Sequence, residues 1–317
     1  MPDRAAAPTA IDELRKRLQR DRSRDNGSDS GREERTAFVL SGGGNQAVAQ
    51  VGMLRALFER GIFPDVVIGC SAGAFNGAVI AKDPTIDGVR HLENTWEGFR
   101  GDEIFPGGKL SRAWNLLRRD DHLFSNEGLQ AIWASRYLPE TFAELELPLR
   151  VVSCDFETGN EIVFASGPLQ PALLASAALP GLFPPIQHDG LTLIDGAVVD
   201  NVPLWHALAG PIDRVYVLNV SGDLLTRPIR SPIDVAIRAF AISRMQRFEL
   251  ELRNVPEGVD VLVLPAPDDN REIFDFSDPL MLIEEAHHLA ERALDEAALA
   301  RARVRTQRRA WWRRDAG

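Results

Sequence analysis

Apolar positions fall either in short unbroken runs or at helical spacing, and the two patterns alternate along much of the chain. Residues 36–40 (TAFVL) read as a buried strand. Residues 46–60 read as a helix, with Val48, Val51, Leu54, Leu57 and Phe58 recurring at its period and Gly61 as its terminator. A second apolar strand over 65–68 and an alanine-rich helix over 72–81 follow, then a helix over 85–99. Further on, strands are expected at 149–155, 161–164, 191–194, 214–220 and 259–264. Helices are expected at 125–137, 232–253 and 278–305, with an alanine-serine helix opening 169–185. Strands alternating with helices predict an α/β fold, here a three-layer α/β/α domain around a mostly parallel central sheet.

Two turns in the first βαβ unit can carry chemistry. The first is Ser41-Gly42-Gly43-Gly44-Asn45, between strand and helix. Consecutive glycines leave backbone N–H groups unshielded, and such a turn can hold an oxyanion. The second is Gly69-Cys70-Ser71-Ala72-Gly73, a G-x-S-x-G pattern between a strand and a helix. In that context the serine sits on a strained turn, and Gly69 and Gly73 let strand and helix close to packing distance. A right-handed crossover puts both turns at one edge of the sheet, facing one pocket.

These turns, with Asp195-Gly196-Ala197 after the 191–194 strand, resemble the patatin-like phospholipases over roughly residues 37–204. The resemblance implies a lipid acyl hydrolase working through a serine–aspartate dyad, without a histidine. Ser71 is then the nucleophile and Asp195 its base, while Gly42, Gly43, Gly44 and Asn45 form the oxyanion hole. It implies a phospholipid or other acyl ester as substrate, and no cofactor or metal. Where the family's glycine turn carries a basic residue and then glycine, this chain has Gln46 and Ala47. Losing that charge weakens the electrostatic help such a turn gives, and alanine crowds a close approach. A catalytically weak lipid-binding scaffold on the same fold is the alternative.

Other chemistries fit the residues less well. The glycine turn also matches a dinucleotide fingerprint, but the second strand ends in Gly69-Cys70-Ser71 rather than in the acidic residue that would bind a ribose. A histidine-based triad would draw on His206 or the His287/His288 pair, all on helical segments rather than in a loop after a late strand. Ser176 has no elbow around it and reads as a pocket-wall or packing residue. The six histidines show no metal-ligand spacing.

Charge and composition narrow the setting. A net charge of −10 argues against a nucleic-acid partner. Two cysteines, Cys70 and Cys154, suit a reducing compartment. No apolar run is long enough to span a bilayer and no hydrophobic leader opens the chain, so a cytoplasmic protein is expected. Residues 1–35 are dense in mixed charge and read as a disordered segment. Residues 36–300 make the hydrolase domain; within it 100–124, with Trp114, read as an ordinary solvated helix with a buried tryptophan or, by the resemblance, as a variable region that can cover the pocket. The tail, 301–317, is rich in arginine and carries Trp311-Trp312. That composition suits peripheral contact with the inner face of a membrane through residues 301–314, a solvated tail being the other reading.

Overall fold

A strand buried along its whole length has to be covered on both faces. β1 (Thr36–Leu40) is buried along its whole length, as is β2 (Val66–Cys70). The structure, a computed structural model, describes residues 34–98, 137–220, 232–268 and 275–315. After β1 come α1 (Ala49–Glu59), β2, α2 (Ala72–Lys82), α3 (Ile86–Gly98), β3 (Leu149–Asp155), β4 (Glu161–Phe164) and α4 (Leu169–Ser176). The chain continues through β5 (Ile186–His188), β6 (Leu191–Asp195), α5 (Leu204–Leu208), β7 (Arg214–Leu218), α6 (Pro232–Arg253), β8 (Asp260–Leu264) and α7 (Pro279–Asp315).

The strands form one eight-stranded sheet in the order β5-β6-β3-β2-β1-β7-β8, with β4 also paired to β3. The run β3-β2-β1-β7-β8 is parallel throughout. Side chains of β1 divide between two cores. Phe38 and Leu40 join α1, α2, α3 and α7 on one face, while Ala37 and Val39 join α5 and Phe248 of α6 on the other. The expected three layers and mostly parallel sheet are present.

The pairing of β3 positions the site. β2 lies along its first half, Leu149 to Val152, and β4 runs antiparallel along Val151 to Cys154. β6 pairs antiparallel with Ser153 to Asp155. A strand has only two edges, so β6 occupies the same edge as β2, beyond its end. β2 and β6 therefore meet head to head, and their last residues, Cys70 and Asp195, lie opposite the adjacent residues Val152 and Ser153.

Several expectations shift at element ends. The helix expected from residue 46 starts as a 3-10 turn, Gly44–Val48, and becomes α-helical only at Ala49, because Gly44 enters with φ +57°. The second strand begins at Val66 and runs on through Cys70, so the elbow follows it without a break. β5, three residues long, was not foreseen. The closing helix runs past residue 305 to Asp315, which makes residues 301–315 helical in backbone. The segment before Glu34, the cap around Trp114, the helix expected at 125–137 apart from Tyr137, and the side chains of the tail beyond Ala302 lie outside the described residues. No helix among the described residues is long and apolar enough to cross a membrane.

Candidate active site

Ser71 stands between β2 and α2 with φ +53° and ψ −129°, a conformation that costs a non-glycine residue about 1–3 kcal/mol. The surroundings hold it there. Its N–H donates to Ser176 Oγ at 2.8 Å, and that hydroxyl donates to the Val152 carbonyl at 2.5 Å. Ser176 is fully buried and takes the packing role of the two expected, and its hydroxyl ties the elbow to β3. A β-carbon on Gly73 would lie 2.4 Å from the Ser41 carbonyl oxygen, and one on Gly69 would lie 2.6 Å from the Ala74 Cα. Only glycine permits both approaches, so the elbow packs directly on the end of β1 and on its own helix.

Asp195 faces Ser71 across the meeting point of β2 and β6. Ser71 Oγ donates to Asp195 Oδ2 at 2.7 Å. The other carboxylate oxygen accepts from the Ala197 N–H at 2.8 Å, and the Cys70 thiol approaches it at 3.9 Å. The strand end is fixed by the Asp195 N–H to the Ala178 carbonyl at 2.9 Å and by Ser153 Oγ to the Ile194 carbonyl at 2.7 Å. Asp195 is only 2 % exposed. Burial pushes its carboxyl up to about 6, and the hydrogen bonds from Ala197 and Ser71 offset only part of that rise. A base in this range is better matched to a serine hydroxyl than a free aspartate is.

The glycine turn closes the third side. A β-carbon on Gly42 would lie 3.1 Å from Ser71 Cβ, so the turn and the nucleophile candidate touch. Gly43 and Gly44 are half-buried, and their N–H groups meet no acceptor among the described residues. Gly42 does not belong with them. Its N–H donates to the Asn201 carbonyl at 3.0 Å, which withdraws it from the expected oxyanion set. The Asn45 side chain donates to the Asp275 carbonyl at 2.7 Å and ties the turn to the loop before α7.

Behind the turn lies a buried amide network that sequence reasoning missed. Gln50 Nε2 donates to the carbonyls of Ser41 (2.8 Å) and Leu218 (3.1 Å). Asn76 Nδ2 donates to Gln50 Oε1 and to the Ala47 carbonyl, both at 2.9 Å, and Trp96 Nε1 donates to Asn76 Oδ1 at 2.9 Å. Ala47 itself is fully buried and accommodated in the core. Because each member satisfies another, Gln50→Ala is expected to lower unfolding free energy by about 2–4 kcal/mol through its unpaired neighbours and the void it leaves. A urea titration checks this, and a midpoint equal to that of the wild type would refute it.

Asn201 and two arginines of α6 were also missed. Asn201 Nδ2 donates to the Gly42 carbonyl at 3.2 Å, and Arg244 Nη1 donates to Asn201 Oδ1 at 3.3 Å. Arg247 braces the loop after Asp195, donating to the Val199 carbonyl at 2.7 Å and to Asp200 Oδ2 at 2.9 Å. In sequence these residues look like ordinary helix-surface arginines and a loop asparagine. Among the described residues the histidines sit elsewhere: His206 pairs with Glu161, His287 with Glu59, and His188 with Asp189. Glu161, Asp200 and His206 converge as a metal site's ligands would, but Arg247 Nη2 already lies 2.8 Å from Glu161 and 2.9 Å from Asp200.

The chain is similar to several known proteins. Patatin-like phospholipase domain-containing protein 7 of Mus musculus is 31% identical over 170 residues, 53% of this chain and 12% of its own length. Lysophospholipase nte1 of Aspergillus terreus is 29% identical over 190 residues, 58% of this chain and 12% of its own length. The chain therefore spans only a small part of these relatives. Among solved structures, human GIVD cytosolic phospholipase A2 aligns with a TM-score of 0.49 at 11% identity, covering 91% of this chain and 62% of that one. The family model described as patatin-like phospholipase matches residues 38–208, more than half of the chain, which belongs to the patatin-like phospholipase family.

Proposed function

We propose that this chain is a serine acyl hydrolase of lipid carboxylic esters, with Ser71 as nucleophile and Asp195 as base. The observation that carries the reading is the 2.7 Å hydrogen bond from Ser71 Oγ to a buried Asp195 carboxylate, on a strained elbow beside a turn with two available N–H groups. The family's name and the lysophospholipase name of one relative supply the substrate class.

In this reading Ser71 Oγ attacks the ester carbonyl carbon as its proton passes to Asp195 Oδ2. The N–H groups of Gly43 and Gly44 hold the resulting oxyanion, and the positive end of α2 favours negative charge at the elbow. Collapse breaks the carbon–oxygen bond to the alcohol, which leaves with the proton from Asp195. Water then attacks the acyl-serine and gives a proton to Asp195. The fatty acid departs and Ser71 recovers its hydrogen. Residues 36–300 form the hydrolase unit, and the arginine-rich end of α7 is its contact with a membrane surface.

Fluorophosphonate labelling tests the reading. A folded wild-type chain is expected to take one phosphonate on Ser71, seen by peptide mass, and to release fatty acid from phospholipid or lysophospholipid vesicles. A folded chain that neither labels nor hydrolyses is a lipid-binding scaffold, and the proposal is then wrong.

A further inference from the structure

Arg244 and Arg247 lie one turn apart on α6, and both reach inward, yet their surroundings differ. Arg247 is saturated: besides Val199, Glu161 and Asp200, its Nε donates to Glu251 at 3.1 Å. Among the described residues Arg244 makes one hydrogen bond, the long one to Asn201, and its guanidinium carbon lies 4.9 Å from the centre of the Phe240 ring. Its Nε is buried with no acceptor, and no carboxylate lies within ion-pair distance of it among the described residues. A half-buried guanidinium with no carboxylate in ion-pair contact keeps unfilled donors, and these define a place for an anion.

That place adjoins Ser71. Asn201, which takes the Arg244 hydrogen bond, grips Gly42 through both its side chain and its backbone carbonyl. Its Oδ1 lies 2.6 Å from where a β-carbon of Gly42 would stand, on the side of the turn that meets Ser71. Burial lowers the affinity of Arg244 for its proton, while the charge of Asp195 acts in the opposite sense, as expected for a cation near the dyad. The turn itself, Gly42 to Val48, holds no charged side chain, and Arg244 is a cation linked to it through Asn201.

We propose that Arg244 recognises the phosphate of the substrate, so that the site prefers glycerophospholipid or lysophospholipid esters over neutral acyl esters. This rests on the acyl-hydrolase reading above. The guanidinium donors that Asn201 does not take are what a phosphate oxygen would pair with, at a planar cation suited to phosphate. The glycerol backbone then places the ester carbonyl at Ser71 with the phosphate at Arg244.

The test compares kcat/KM of the full chain on a lysophosphatidylcholine and on a monoacylglycerol with the same acyl chain, for wild type, Arg244→Gln and Arg244→Lys. The ratio of the two values is expected to fall at least about tenfold in Arg244→Gln and less in Arg244→Lys. An equal loss on both substrates would make Arg244 only a brace for Asn201, and an unchanged ratio would remove it from recognition; either overturns the inference. A second arm uses inorganic phosphate. If phosphate protects the wild type but not Arg244→Gln from fluorophosphonate while the lipid ratio is unchanged, the site takes free phosphate and the lipid assignment fails. A wild type inactive on both lipids and unlabelled by fluorophosphonate overturns the acyl-hydrolase reading instead, and this inference with it.

Discussion

Ser71→Ala is expected to lower kcat on a p-nitrophenyl ester by about 10⁴–10⁶-fold and to abolish fluorophosphonate labelling. The size follows from what remains. Without Oγ there is no atom to form the acyl intermediate, and the N–H groups of Gly43 and Gly44 can only polarise a carbonyl for attack by water. The fold is expected to survive. The Ser71 N–H still reaches Ser176 Oγ, and alanine meets the same backbone strain at φ +53°. Circular dichroism and melting temperature should therefore stay close to wild type while activity vanishes. A variant that hydrolyses the ester at the wild-type rate would move the nucleophile elsewhere.

Asp195→Asn is expected to cost about 10³–10⁴-fold in kcat, because the amide cannot take the hydroxyl proton. It should also erase a pH dependence. As base, Asp195 works only when ionised, and burial places its titration at about 6. Below that pH kcat/KM should fall tenfold per unit, and above it should level off. The residual activity of the asparagine variant should lack this limb; a limb that persists would assign the titration to another group. Stability moves the opposite way. The folded carboxyl holds its proton to higher pH than the unfolded one, so the native state binds more protons between about pH 4 and 6. Its contribution to stability therefore falls by about 3 kcal/mol as pH rises through that window. The cost of keeping an ionised carboxylate in the core is thus borne in the pH range where the proposed reaction is expected to be fastest.

What could be read before the structure was local. The β1 run, the alanine-rich α2 and the G-x-S-x-G between β2 and α2 each declare themselves within about a dozen residues, because strand burial and turn geometry constrain neighbouring positions directly. Asp195 was reachable only through resemblance, since an Asp-Gly pair after a strand is by itself a tight turn. The partners of the glycine turn were not legible at all. Gln50 and Asn76 sit in helices as ordinary amides, and their meaning comes from carbonyls of Ser41, Leu218 and Ala47 that only the fold brings near. The Gly42 N–H seemed as available as that of Gly43 until Asn201, distant in sequence, took it. α6 misleads further, for Arg244 and Arg247 reach inward while Ile242 and Met245 are exposed, the reverse of a simple amphipathic pattern.

The pairing of β1 with β7 has a consequence for synthesis. β1 is made roughly 180 residues before its second neighbour, a separation that slows folding through the entropy of closing so long a loop. Until Arg214–Leu218 is made, one edge of β1 lies open, apolar and able to pair with another nascent chain. The strand that carries the glycine turn thus waits longest for its shelter, and assembly of the candidate site is coupled to synthesis of Arg214–Leu218.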